Sequence, residues 1–237
     1  MMRRIASTTA VALAAGALSS GLFWGFLNTP ESTVWMLGVS FVLVASIAAV
    51  LAVAGGAALL AWAGAGFTRD VWQTATRRVL LCLPAVLLFA IIWRLVLPGE
   101  QWVAVHSGEI SAWFIARFGW SDVRPLISAL LWTGGWLRFV LAPFVALVAW
   151  HALLTATWRP LGSTVRRALS PLGLLIATMV MAVLVYVPWM YLLAWRPRAL
   201  PTGSAEVAFF AGKMAVFALA LAVASALLTR TAASRRA

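Results

Sequence analysis

Four basic side chains stand within or beside stretches that are otherwise almost free of charge: Arg94, Arg138, Lys213 and Arg196. An ionisable group inside an apolar helix is costly enough to count as a functional candidate by default. Counted inward from the ends of their stretches, Arg94, Arg138 and Lys213 fall at broadly similar depth near one boundary of the apolar region. Arg196 lies just beyond it, with Arg198. Three kinds of chemistry are open to them. They can snorkel to headgroups, pair with Glu100, Glu109 or Glu206, or converge on an anion such as a lipid phosphate or carboxylate. Glu206 and Lys213 are seven residues apart, two turns along one helix face, and so do not touch directly. Beside them Trp136, Tyr186, Trp189 and Tyr191 compose a candidate aromatic cleft, opened by helix kinks at Pro143 and Pro188.

Catalytic and metal-binding signals are sparse. His106 and Glu109 are three residues apart and could share a helix face, but a structural zinc site takes four ligands and a catalytic one three. No companion Cys or His is placed to complete such a set, so no metal site is expected. His151 lies deep in a different stretch, at another level from His106, which argues against a haem held between the two. A hydrogen bond from His151 to a neighbouring helix is the more ordinary expectation. The chain has no Gly-x-Ser-x-Gly elbow, phosphate-binding loop, His-Glu-x-x-His motif or acidic cluster for Mg²⁺. No catalytic residue and no cofactor follow, and the reading leans away from an enzyme.

The elements that must position these residues are apolar helices. Hydrophobic residues make up 64% of the chain and charged ones 10%, against roughly 45–50% and about 25% in soluble domains. A helix crossing the ~30 Å hydrocarbon layer needs about 20 apolar residues. Six stretches qualify: 5–27, 34–66, 79–97, 126–157, 169–195 and 207–229. The second is long enough that it must tilt, kink or end early near Gly55 and Gly56. The expected fold is an all-α integral membrane protein, a single domain over 1–237, with about six transmembrane helices and short interfacial helices.

Orientation follows from arginine, because basic residues near helix ends stay on the cytoplasmic side. With the amino terminus inside, Arg3, Arg4, Arg69, Arg77, Arg78, Arg159, Arg166, Arg167, Arg230, Arg235 and Arg236 are cytoplasmic. Only Arg117, Arg124, Arg196 and Arg198 are then outside, and both termini are cytoplasmic. Lys213 is the one lysine among 18 basic residues, and alanine is abundant; this composition resembles that of GC-rich bacteria and places the chain in a bacterial inner membrane. The net charge of +12 is explained by topology and anionic headgroups; nucleic-acid binding is not expected, because no soluble domain carries a groove. Arg3 and Arg4 followed by an apolar run also resemble a secretory signal. The run continues through Leu27, past a signal core, and favours a retained helix.

Arginine pairs precede each outward-going stretch: Arg3-Arg4, Arg77-Arg78 and Arg166-Arg167. Three helical hairpins side by side, or positive-inside loops that simply accumulate Arg pairs, both account for them. The inner connections 67–79 and 157–169 have room for amphipathic surface helices. Residues 101–118 read as one further helix on the outer face, ended by Gly119, Asp122 and Pro125. Most of the 14 tryptophans, among them Trp24, Trp35, Trp93, Trp102, Trp113, Trp120, Trp132, Trp189 and Trp195, map to the outer half, more than an interfacial belt requires. Cys82 has no internal disulfide partner and reads as a small packing residue.

These features point to a non-catalytic polytopic membrane protein, a subunit or scaffold of a membrane assembly with an outer-leaflet contact site for anionic lipid. A small permease or lipid-handling transporter with an anionic substrate is the alternative. Its support is weaker, because the inner helix halves offer little polarity besides His151. The expected partners are membrane lipids, other membrane subunits or further copies of the chain.

Overall fold

The computed structural model describes residues 1–30, 33–64, 66–155, 169–195 and 203–233, and among these every regular element is helical. Six helices are long and apolar enough to cross a bilayer. They are α1 (Met2–Leu27), α2 (Val34–Ala63), α4 (Val79–Val105), α6 (Arg124–Leu154), α7 (Pro171–Leu193) and α8 (Ser204–Ala233). Two short helices complete the set, α3 (Arg69–Arg77) between α2 and α4, and α5 (Ser107–Phe118) between α4 and α6.

Local chemistry sets several boundaries. Thr33, Thr68 and Ser170 each accept a backbone N–H of the first turn, from Met36, Val71 and Gly173, the usual relief for the orphan donors of a helix start. α6 starts at Arg124 because Asp122 accepts both its backbone N–H and its guanidinium at 3.0–3.1 Å. That guanidinium holds the exposed Asp122 carboxyl below the usual carboxylate range. α5 ends at Gly119, whose φ of 66° lies in the left-handed region that glycine enters without strain.

Two expectations change. The third span, expected over 79–97, runs on through Pro98 and Gly99 to Val105, so the outer helix starts at Ser107 rather than at residue 101. Pro98 removes one backbone donor but does not stop the helix, and the extra turns carry Glu100 against α6. The break comes at His106, whose ring Nδ1 donates to the Trp102 carbonyl at 2.9 Å, beside the backbone N–H of His106 to the same oxygen. The second concerns the alternatives open at Gly55 and Gly56, of which an early end is not taken: α2 runs through both to Ala63. The two glycines form a seat for the Trp150 ring of α6, where a Cβ on Gly55 would come within 2.7 Å of the indole. Small residues allow such close approach of helices. The expected surface helix over 67–79 matches α3, with Ala75 buried and Arg77 in the last turn. That expected over 157–169 lies outside the described residues, apart from Leu169.

Consecutive long helices pack as hairpins, α1 with α2, α4 with α6, and α7 with α8, while α8 also closes onto α1 and α2. α6 is the central element. Its Val140, Phe144, Val148 and Leu154 form the core with Leu59 of α2, Ala177 of α7 and Ala232 of α8. Of its most apolar stretch 39% of the residues are buried, against 6% for α1, α2 and α4, although α2 also buries Gly56, Ala57, Ala58, Leu59 and Ala61 nearer its end.

Candidate functional site

A largely buried ion pair lies between α4 and α6. Pro143 would drive its ring into the carbonyl four residues back in an unbroken α-helix. The chain widens into a π-turn over Leu137–Leu141, and the N–H of Ala142 bonds to the carbonyl of Leu137, five residues back. Such a bulge shifts the register of the side chains that precede it. Arg138 stands in this turn and meets Glu100 of α4, with Nη2 to Oε2 at 2.9 Å and about 15% and 14% of the two side chains exposed. Its guanidinium lies 4.8 Å from the centroid of the Trp93 ring and 5.0 Å from that of Phe139. These two rings meet edge to face at 5.1 Å. Cation–π attraction adds to the ion pair and replaces part of the lost hydration. Among the described residues Glu100 Oε1 and Arg138 Nε have no hydrogen-bond partner.

Gly134 makes the approach possible. A Cβ there would come within 2.6 Å of Glu100 Oε1 and 2.9 Å of its Cδ, and closer still to Cγ. Gly134→Ala is therefore expected to swing Glu100 off Arg138 and lower stability by about 1–3 kcal/mol. Thermal unfolding in mild detergent checks this, with Gly135→Ala as the control because nothing lies within 4 Å of that position.

Lys213 has a different setting. Its helix, α8, packs on α7, which ends in the π-turns Ala182–Tyr186 and Pro188–Leu193 around Pro188. The terminal carbonyls of a helix lack intrahelical donors and carry partial negative charge. Lys213 Nζ donates to two carbonyls there, of Leu193 at 2.9 Å and Trp195 at 2.6 Å, and lies 5.2 Å from the Phe209 ring. The side chain is 7% exposed. Arg78 does the same at the other end of the bundle, donating Nη1 to the carbonyl of Leu154, the last residue of α6. Both cations act as clamps on helix C-termini.

Arg94 is exposed and makes no hydrogen bond or ion pair among the described residues. Arg196 lies outside the described residues. No contact thus joins Arg94, Arg138 and Lys213: one faces outward, one is paired between α4 and α6, and one closes α7 onto α8. The four aromatic residues also have separate neighbours. Trp136 Nε1 donates to Thr178 Oγ1 at 2.9 Å at the edge of the core, Tyr186 meets Trp132, Trp189 meets Phe217, and Tyr191 is exposed. No three His, Cys, Asp or Glu side chains come together among the described residues. His151 is buried on α6 and hydrogen-bonding or otherwise engaged.

Sequence reading held open the pairing of a cation with Glu100 but did not single out Gly134, Arg78 or Thr178. Adjacent glycines such as Gly134-Gly135 are compatible with close helix packing, but the sequence does not say against which side chain. Nothing in the pattern Trp72 to Arg78 tells Arg78, which turns to α6, from Arg77, which stays on the surface helix. Comparison of the chain with protein-family models, curated proteins and solved structures finds no match.

Proposed function

We propose that this chain is a non-catalytic polytopic membrane protein, a subunit or scaffold of a membrane assembly, seated in a bacterial inner membrane with both termini cytoplasmic. The observation that carries the reading is the contrast between sealed charges and open apolar faces. Arg138 and Lys213 are neutralised or hydrogen-bonded within the bundle, which supports a structural role better than display to a travelling substrate. Few residues in the most apolar stretches of α1, α2 and α4 are buried within the protein. α1 in particular turns outward the small residues Ala10, Ala14, Ala17 and Gly21, and nothing lies within 4 Å of a Cβ built on Gly21. Exposed small residues at this spacing let a second helix approach closely. Of the three candidate cations among the described residues, Arg94 is the exposed one, open to contact with an anionic lipid.

A photo-crosslinking residue at Ala17, activated in intact membranes, is expected to yield an adduct with another polypeptide or a second copy of the chain. Adducts with lipid alone would refute the subunit reading. Arg94→Ala is expected to reduce anionic lipid retained in native mass spectrometry, and unchanged retention would remove the lipid contact.

A further inference from the structure

At the end of the bundle opposite the termini, the last turn of α4, the face of α5 and Leu130 of α6 enclose a groove of about 430 Å³. Its lining includes Trp102, Val103, His106, Glu109 and Trp113. α4 is 27 residues long, about 40 Å at 1.5 Å per residue. That exceeds the ~30 Å hydrocarbon layer, so the turn carrying Trp102 and the helix that follows sit at headgroup level. α5 buries none of its residues within the protein, although Ile110, Trp113, Phe114 and Phe118 give it an apolar character.

We propose that this groove holds a phospholipid whose headgroup carries a primary ammonium, of the phosphatidylethanolamine class. Charge complementarity selects the headgroup. Glu109 is an exposed carboxylate with no ion-pair partner among the described residues, and no Lys or Arg lines the groove. The groove therefore reads a cation rather than a phosphate. Trp113, 57% exposed, offers an indole, the best aromatic partner for an ammonium, while the His106 ring stacks on that of Trp102 at 4.9 Å. His106 adds an acceptor. The Trp102 carbonyl can only accept, so the 2.9 Å contact puts a ring proton on Nδ1 and makes Nε2 the ring nitrogen that can accept. His106 caps the start of α5 and Glu109 is the third residue of that helix, and both line the groove. An ammonium with N–H donors satisfies the carboxylate and the imidazole together, whereas a trimethylammonium offers no N–H and a glycerol headgroup no charge. The volume falls in the range of small-molecule sites, about 300–1,000 Å³, and exceeds a headgroup, so Val103 and Leu130 can receive the glycerol and the first methylenes of a chain.

The test is native mass spectrometry of the full-length protein released from mixed micelles of dioleoyl phosphatidylethanolamine, phosphatidylcholine and phosphatidylglycerol. The expected order of retention is ethanolamine above choline above glycerol. Glu109→Gln is expected to lower ethanolamine-lipid retention on the order of tenfold, as for loss of one charge-assisted hydrogen bond, and Trp113→Leu several-fold. Arg117→Gln, a charge change on the same helix away from the groove lining, should leave it unaltered. Equal retention of the three lipids would overturn the proposal, as would an unaltered Glu109→Gln protein. Full displacement by chain-free glycerophosphoethanolamine would overturn it in favour of a soluble amine. A lipid-free dimer that Trp113→Leu dissolves would overturn it in favour of a second copy on α5.

Discussion

Glu100→Leu is expected to lower stability by about 3–5 kcal/mol, on the order of 10 °C in Tm for a chain of this size. The double variant Glu100→Leu/Arg138→Met should regain most of that loss. The single change leaves the Arg138 guanidinium without its counter-charge, between two aromatic rings and largely shielded from water. Removing both charges relieves the penalty, because a buried pair replaced by apolar groups of similar size is often neutral or even stabilising. Thermal unfolding of the four members of the cycle in one detergent gives the coupling. Additive losses in the double variant would mean that Glu100 and Arg138 do not share an interaction, and the ion pair would then have no place in the bundle. Met retains much of the apolar stem of Arg, so the cycle isolates charge rather than volume.

Lys213→Met is expected to cost about 2–3 kcal/mol, in line with the loss of hydrogen bonds from a charged donor. The loss should be local first. Lys213 fastens α8 to the carbonyls of Leu193 and Trp195, just past the π-turn Pro188–Leu193 that ends α7. Amide hydrogen exchange over 190–195 should therefore accelerate more than that in the core stretch around Phe144 and Val148. Unchanged exchange in the 190–195 segment would contradict the clamp. Fold-wide acceleration of equal size would instead make Lys213 a determinant of the whole bundle rather than of one helix end.

The positions of Arg94, Arg138 and Lys213 along their helices follow from counting residues at a fixed rise. Their rotation does not. Arg94 and Trp93 are adjacent, yet Arg94 faces outward while Trp93 covers Arg138. Adjacent residues on a helix point about 100° apart, and only the neighbour's location says which of them is inside. The π-turn at Leu137–Leu141 adds to the difficulty. Pro143 announces a disturbance, but whether the helix kinks or bulges depends on what α4 presses against it. Gly134 shows the same limit, because its notch has meaning only once Glu100 arrives from 34 residues earlier in sequence.

Hydropathy and capping chemistry are properties of neighbours along the chain. The sequence by itself therefore determined the six long apolar helices, the amphipathic α3 and the polar caps at Thr33, Thr68 and Ser170. The tertiary structure decided which charge has a partner, which glycine admits a side chain and which helix ends need a clamp. Those outcomes depend on the axial rotation and separation of helices far apart in sequence, and a shift of one residue in a bulge changes them all.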